Sequence, residues 1–322
     1  MNILITGGAG YIGSVVANHF IDLKHQVTII DNLSRGYEFL IPKKAIFLKS
    51  DISDKKIISN LLSKRKFNLV IHLAGFTDMK ESLKKPKKYI HNNYHKSKIF
   101  FDICQKYKLN KIIFSSTAAV YKNSSNGIVH ENSNLKSSNP YGKSKILSEN
   151  YLKNKKSIRY VILRYFNVAG SDFKLRSGTV HQKSLIKNLI RVLNGEKFFF
   201  SLYGKNYNTK DGTAIRDFIH VMDLARIHYL AGIYLMKNKK NLILNCGYNR
   251  GYTVNEILRI SEKIFKTQIK IKLFSRRKGD LPKVIASNVK IKKILRWKPK
   301  FDDINNILKS SLKWEKKLKK LI

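Results

Sequence analysis

Thr6-Gly-Gly-Ala-Gly-Tyr-Ile-Gly13 follows at once on the apolar run Asn2-Ile-Leu-Ile5 and leads into a helix-like stretch at residues 13–23. Gly7, Gly10 and Gly13 allow a tight strand-to-helix turn and a close backbone approach to a pyrophosphate. The helix N-terminus supplies the amide groups that hold it, and Tyr11 and Ile12, between the last two glycines, are placed to contact the same cofactor. A second apolar run at 26–30 ends in Asp31-Asn32, where a carboxylate accepts hydrogen bonds from both ribose hydroxyls of a dinucleotide and repels a 2′-phosphate. That favours NAD over NADP, with Arg35 close by as the counter-argument. A turn in any parallel sheet can use glycine, but the order of the glycines, the preceding strand and the acid at this distance select a dinucleotide.

Further strand-like runs at 45–48, 69–73, 111–115 and 160–165 alternate with helix-like stretches at 53–64, 87–107 and 140–153. Alternation at these lengths predicts an α/β fold, a doubly wound parallel (Rossmann) sheet with helices on both faces. Asp51-Ile52 and Leu73-Ala74-Gly75 then fall at the carboxyl ends of later strands, where ligands bind in such sheets, and Asp51 is placed to receive an adenine amino group. After about residue 168 the alternation becomes irregular. The expected division is a cofactor-binding domain at 1–167, with a return of about 218–247 to the main sheet, and a smaller α+β substrate-binding region at 168–322. Leucines at 308, 312, 318 and 321 among lysines predict a terminal helix that packs one face on the body, in preference to a membrane-surface helix.

The 322-residue chain has 64 basic and 21 acidic residues, a net charge of +43. Such a balance raises the question of nucleic acid. The lysines, however, are spread through almost every surface segment, with no basic stripe interleaved with aromatics, and abundant Lys, Ile and Asn read as drift towards AT-rich codons. No specific nucleic-acid partner is expected, although the charge can steer an anionic substrate. Cys104 and Cys246 lie far apart, match no metal or redox spacing and fit a reducing compartment. No apolar run approaches the roughly 20 residues that span a bilayer. These features predict a cytoplasmic protein without a membrane partner. His91 and His95 stand one helical turn apart without a third ligand, so no metal site is expected.

Tyr141-Gly-Lys-Ser-Lys145 lies in the helix-like stretch 140–153. Residues four apart share a helix face, so the phenol and the ammonium can reach one substrate atom. A tyrosine base useful at neutral pH needs its pKa lowered by roughly 3 units, which nearby positive charge supplies; Lys145 is one such charge, and an oxidised nicotinamide would be a second.

With these motifs in place the chain resembles the extended short-chain dehydrogenase/reductase superfamily, and within it the NAD-dependent epimerases and dehydratases of nucleotide sugars. The resemblance is carried by residues 6–13, Asp31-Asn-Leu33, His72-Leu-Ala-Gly75, Asn92-Asn93, residues 114–121, residues 141–145 and Arg164-Tyr-Phe-Asn-Val-Ala-Gly170, and further on by residues 211–225 and Arg276-Arg-Lys-Gly-Asp280. It implies that Tyr141 removes the proton of a UDP-hexose 4-hydroxyl while the hydride on carbon 4 passes to tightly held NAD. The 4-keto sugar then swings and takes the hydride back on its other face, interconverting UDP-galactose and UDP-glucose. Lys145 holds the ribose and depresses the Tyr141 pKa, and Thr117 hydrogen-bonds the reacting oxygen. By the same resemblance Asn92 and Thr77 adjoin the cofactor and Phe166 packs by the nicotinamide. Asn167, Ser184, Leu185, Arg216, Arg277 and Asp280 contact the UDP-sugar. Arg216 could otherwise pair with Asp217 or Asp223. Relatives of this kind pair as homodimers through helices like 87–107 and 140–153.

Several positions depart from the family pattern. Thr77 stands where a basic residue is common, Lys122 replaces a glycine, Ser184 replaces Asn or His, and Val284 replaces a bulkier residue, leaving room for an N-acetyl group. Thr117-Ala118-Ala119 lacks the carboxylate pair that a 4,6-dehydratase needs after that threonine. The alternatives that stay open are an epimerase of UDP-N-acetylglucosamine or UDP-glucuronate and, in another class, a non-catalytic anion-binding protein on the same fold.

Overall fold

Ile3, Leu4 and Ile5 are fully buried, so the strand they form is covered on both faces, as a central strand of a parallel sheet must be. In the computed structural model, which describes residues 1–122, 126–181, 184–277 and 280–322, this strand is β1 (Asn2–Thr6). Lys278 and Gly279 of the 276–280 motif lie outside the described residues. The first half continues through α1 (Tyr11–Asp22), β2 (Gln26–Asp31), β3 (Ile46–Lys49), α2 (Lys55–Lys64), β4 (Leu69–His72), α3 (Met79–Lys84) and α4 (Pro86–Ile90). A π-helical turn (His91–His95) leads to α5 (Lys96–Lys106), β5 (Lys111–Thr117), β6 (Ile128–Val129), α6 (Pro140–Lys153) and β7 (Arg159–Tyr165). Then come β8 (Asn167–Ala169), α7 (Leu185–Leu193), β9 (Phe200–Tyr203), β10 (Ile215–His220), α8 (Val221–Lys237), β11 (Leu242–Cys246), β12 (Gly251–Thr253) and α9 (Val254–Phe265). The chain ends with β13 (Ile271–Phe274), β14 (Lys283–Ala286), α10 (Val289–Leu295) and α11 (Ile304–Leu318).

Seven strands form one sheet in the order β11-β7-β5-β4-β1-β2-β3, every pair parallel. The strands alternate between two cores. Ile3, Ile5 and Ile71 pack with Val16 and Phe20 of α1 and with Leu224 and Ala231 of α8. Leu4, Val70 and Phe114 pack on the opposite side with Ile58 of α2, Phe100 of α5 and Leu152 of α6. This is the doubly wound α/β fold the sequence implies. The order reverses between β1 and β4, and the crevice at their carboxyl ends is where such sheets bind ligands.

A second sheet, β12-β10-β14-β6 with β8 also on β10, stands beside the first. Its partners are α7, α9 and α11, whose Leu189, Ile257 and Leu308 share a core with Phe218 of β10. The strands β6, β8, β12 and β14 were not legible as periodic runs; each spans two to four residues. The helix expected at 87–107 is interrupted by the π-helical turn, and the terminal helix begins at Ile304, capped by Asp303, four residues before the leucine pattern. Its Leu308, Trp314 and Leu318 are buried against the body, while Leu321 lies beyond it and is exposed.

Candidate active site

The glycine loop is set by close backbone contacts. A Cβ on Gly13 would lie 2.1 Å from the Gly7 carbonyl oxygen, and one on Gly7 would lie 2.6 Å from the Ala74 backbone nitrogen, so the loop after β1, the start of α1 and the Leu73-Ala74-Gly75 loop after β4 meet without room for side chains. Gly7 also has a φ of 72°, which favours glycine. Gly10 is the N-cap of α1 and makes no side-chain cap, and the first turn, which contains Tyr11 and Ile12, holds no acidic residue. The amides of that turn are therefore left for an anion. The Tyr11 hydroxyl donates to the Gly170 carbonyl at 2.7 Å, tying the helix start to the loop after β8.

Asp31 closes the loop from the other side. Its carboxylate accepts from the Ala9 amide at 3.0 Å and the Leu33 amide at 2.9 Å; burial pushes its pKa up, and the two amides counter that. Two of its roughly four acceptor positions stay available for ribose hydroxyls. Asp51 differs. It accepts from Asn32 Nδ2, Lys96 Nζ and both the amide and hydroxyl of Ser53, so its acceptor positions are already taken. Burial works to raise its pKa, but these donors hold it down at about 2. Ile52 beside it is buried in the core.

The loop after β4 is held by a residue that the sequence reading quoted in a motif but gave no role in the site. Asn93 is fully buried; its Oδ1 accepts from the Phe76 amide, and its Nδ2 donates to the Phe76 carbonyl and the Ser144 hydroxyl. Its backbone carbonyl accepts from Ser97 and Ser148. Asn92 donates to Asn93 Oδ1 at 3.1 Å, and Thr77 is exposed just before α3. The π-helical turn is what aims Asn93 into α6, a common use of such turns at functional sites.

Asn139 caps α6 with Pro140 at its first position, so Tyr141 enters in a fixed orientation. Gly142 lets the helix come against the turn after β5: a Cβ there would lie 2.4 Å from the Ala119 carbonyl oxygen. This approach brings Tyr141 near Thr117, whose hydroxyl accepts from the Ala119 amide at 3.2 Å. Burial raises the Tyr141 pKa above its ordinary value and the neighbouring Thr117 hydroxyl pulls it back. Lys145 is also buried; its Nζ donates to the Ser115 carbonyl at 2.9 Å and sits 4.9 Å from the Phe114 ring centre. Burial lowers its pKa to about 8, with Glu149 working in the opposite direction. In the protein by itself the phenol is therefore held up by burial, and the expected depression by Lys145 does not set its pKa. Glu149, one turn after Lys145, is fully buried and bonded twice to Arg164, at 3.0 and 2.6 Å, and it accepts from the Ser116 hydroxyl at 2.5 Å. The only sequence signal for it was a charge at i+8 from Tyr141.

The second region contributes its own groups. Phe166 is buried in a cluster with Val284 and Ala118, and Asn167 is exposed at the start of β8. Val284 is the register partner of Arg216 across β10 and β14. Arg216 forms an ion pair with Asp280, which also accepts from the Tyr207 hydroxyl at 3.3 Å. Asp217 and Asp223 do not take it: the first accepts from the amides of Tyr248, Asn249 and Ala286, the second from Arg226 and the Tyr248 hydroxyl. Arg277 lies over the Tyr203 ring at 4.0 Å. Ser184 caps α7, whose first residue is Leu185.

The glycine cradle, the uncapped helix start and the carboxylate of Asp31 together fit a dinucleotide with free ribose hydroxyls. Residues 3–247 match the model of the NAD dependent epimerase/dehydratase family. The UDP-glucose 4-epimerase of Azospirillum brasilense is 37% identical, the match covering 99% of this chain and 93% of that protein. The UDP-glucose 4-epimerase from Stenotrophomonas maltophila, solved with bound NAD and formylated UDP-arabinopyranose, has a TM-score of 0.96 at 28% identity, covering 100% of both chains. The UDP-Glc/GlcNAc 4-epimerase from Campylobacter jejuni has a TM-score of 0.85 at 37% identity, covering 98% of this chain and 99% of that one.

Proposed function

The chain belongs to the NAD dependent epimerase/dehydratase family, and on that premise we propose that it interconverts UDP-galactose and UDP-glucose as an NAD-dependent UDP-glucose 4-epimerase, an isomerase. The observation that carries this reading is the placement of the buried Tyr141 and Lys145 near Thr117, at the carboxyl edge of a sheet whose glycine loop fits a dinucleotide. No carboxylate follows Thr117, so the site offers proton transfer at one oxygen without the acid and base that eliminate water.

On this reading residues 1–167, with about 218–247, hold NAD, and the rest of 168–322 holds the UDP-sugar. The amides at the start of α1 take the pyrophosphate and Asp31 the adenosine ribose. When bound, NAD accepts a hydride from carbon 4 of the sugar and gives it back, so no net redox occurs. Tyr141 takes the proton of the 4-hydroxyl and later returns it, and Thr117, donor and acceptor at once, keeps the phenol and the sugar oxygen in line. Lys145 anchors the ribose and keeps a positive charge near the phenol. Arg216 and Arg277 make paired hydrogen bonds to the diphosphate that lysine does not reproduce, and Asp280 takes the uridine ribose. The Arg216–Asp280 pair holds both groups in place for that.

We further propose a cytoplasmic homodimer that pairs through α5 and α6. The apolar Leu147 on the outside of α6 supports the pairing, and light scattering at a mass of two chains tests it. Among the described residues no helix is long and apolar enough to cross a membrane. For the activity, purified protein is given UDP-galactose without added cofactor and UDP-glucose is measured. Tyr141→Phe lowers turnover by about 100-fold or more, the scale of general acid–base catalysis. A variant within tenfold of wild type rejects the role of the phenol, and absence of UDP-glucose from wild type rejects the reaction.

A further inference from the structure

Arg35 stands four residues after Asp31, in the turn beside the ribose end of the cofactor site. A Cβ on the neighbouring Gly36 would come within 3.0 Å of Asp31 Oδ1, so the turn lies directly against that carboxylate. An arginine at such a place is what accommodates the 2′-phosphate of NADP. Here its guanidinium is engaged by other groups. The guanidinium donates to Glu81 Oε2 at 2.5 Å and lies 5.3 Å from the centre of the Phe76 ring, on the loop after β4.

Glu81 is built to keep it there. Asp78 caps α3 through the Glu81 amide at 3.0 Å, which fixes the start of the helix and the placement of Glu81 in its first turn. The carboxylate also accepts from Lys88 Nζ at 2.9 Å and from the Tyr89 hydroxyl at 3.1 Å. The Tyr89 side chain is fully buried, so one of the three donors cannot wander. Lys88 first of all, with Tyr89 and Arg35, holds the Glu81 pKa below the usual carboxylate range. An isolated pair with an arginine as exposed as this one would bias the side chain only weakly. A carboxylate held by three donors, facing a guanidinium that also rests on an aromatic ring, forms a network with a preferred geometry.

We propose that Glu81 is a specificity-determining residue for the dinucleotide: it holds Arg35 against α3 and Phe76, away from the ribose, so the cation that would receive a 2′-phosphate is withheld. Asp31 repels that phosphate and Glu81 removes its counter-charge. The two acids lie 50 positions apart in sequence and act on the same ligand atom, one directly and one through Arg35. The inference rests on the reading of this crevice as the NAD site.

The test is calorimetric titration of dinucleotide-free protein with NAD and with NADP, for wild type, Glu81→Gln, Arg35→Ala and the double variant. Glu81→Gln tightens NADP at least tenfold while NAD stays within threefold of wild type, and the gain disappears in Glu81→Gln/Arg35→Ala. Melting curves identify an unfolded variant, in which case Glu81→Ala replaces it. The inference is overturned when the NADP affinity of a folded Glu81 variant stays within threefold of wild type, or when the gain survives loss of Arg35. Wild type that binds neither dinucleotide overturns the cofactor reading together with it, whereas tight NAD binding with an unmoved NADP affinity overturns only the role of Glu81.

Discussion

Gly10 and Gly13 belong to one motif, yet the geometry assigns them separable consequences. A Cβ on Gly13 would lie 2.1 Å from the Gly7 carbonyl oxygen and 2.8 Å from the Gly8 Cα, all of it backbone that cannot rotate aside. Gly13→Ala must therefore push α1 from the loop by on the order of 1 Å, given that heavy atoms pack best near 3.5 Å. Overpacking of this kind costs about 1–3 kcal/mol, and a backbone clash belongs at the upper end. At about 2–4 °C per kcal/mol for a domain of this class, the melting temperature falls by about 5–10 °C. A Cβ on Gly10 meets only the Gly7 carbonyl, at 3.3 Å, and the backbone there, at φ −83° and ψ 172°, suits any residue. Gly10→Ala costs about 1 kcal/mol or less as an N-cap change. Its methyl, however, occupies the side from which a pyrophosphate approaches. Differential scanning calorimetry and NAD titration separate the two effects: Gly13→Ala loses stability and binding together, whereas Gly10→Ala melts within about 4 °C of wild type and binds NAD at least tenfold more weakly. A Gly13→Ala protein that melts within 2 °C of wild type, or a Gly10→Ala protein with unchanged affinity, refutes the reasoning.

Lys145 is buried as a charge, with its pKa lowered to about 8 from an ordinary value near 10.4, a gap worth about 3 kcal/mol. Below pH 8 it is protonated in both folded and unfolded chains and the penalty is constant. Between about 8 and 10.4 the folded protein has released the proton that the unfolded chain still holds, so wild-type stability rises with pH. Lys145→Met is thus inactive but more stable by about 2–3 kcal/mol at pH 7, and urea unfolding shows the advantage fading as pH approaches 10.4; a difference that does not change with pH contradicts this. Glu149→Leu and Arg164→Met each strand a buried charge and cost about 3–5 kcal/mol alone, whereas the double variant is more stable than either single one. Denaturant melts that show the two costs simply adding reject that coupling.

The first half of the fold was legible because β1, β2, β4, β5 and β7 are buried on both faces and so appear as uninterrupted apolar runs, separated by helices capped where Asp54 and Asn139 stand. The second sheet was not. Its strands β8, β12 and β14 are too short for a period to register, and Val284 or Asn167 acquires meaning only from the neighbour that β10 brings to it. The same limit applies in the site. Glycines and a strand-end acid announce a cofactor loop locally, but Asn93 became important only through a π-helical turn that aims it at Ser144, and Lys96 only through its ion pair with Asp51, 45 residues away. Spacing on one helix placed Tyr141 and Lys145 on a shared face, and it carries no information about desolvation.

Desolvation decides how the proton site works. Reading the motif alone, Lys145 pulls the Tyr141 phenol down; in the folded protein both groups are buried, and each is pushed towards its neutral form. Two features oppose that. The neighbouring Thr117 hydroxyl favours the phenolate, while Glu149, one turn beyond Lys145, favours the ammonium. Arg164 and Ser116 hold both oxygens of Glu149. The charge on Lys145 therefore depends on a chain of contacts running from β7 through α6 to β5. A phenol kept protonated at rest and ionised only when a ligand adds positive charge suits an isomerase, which must hold one proton through the half-reaction and return it to the same oxygen.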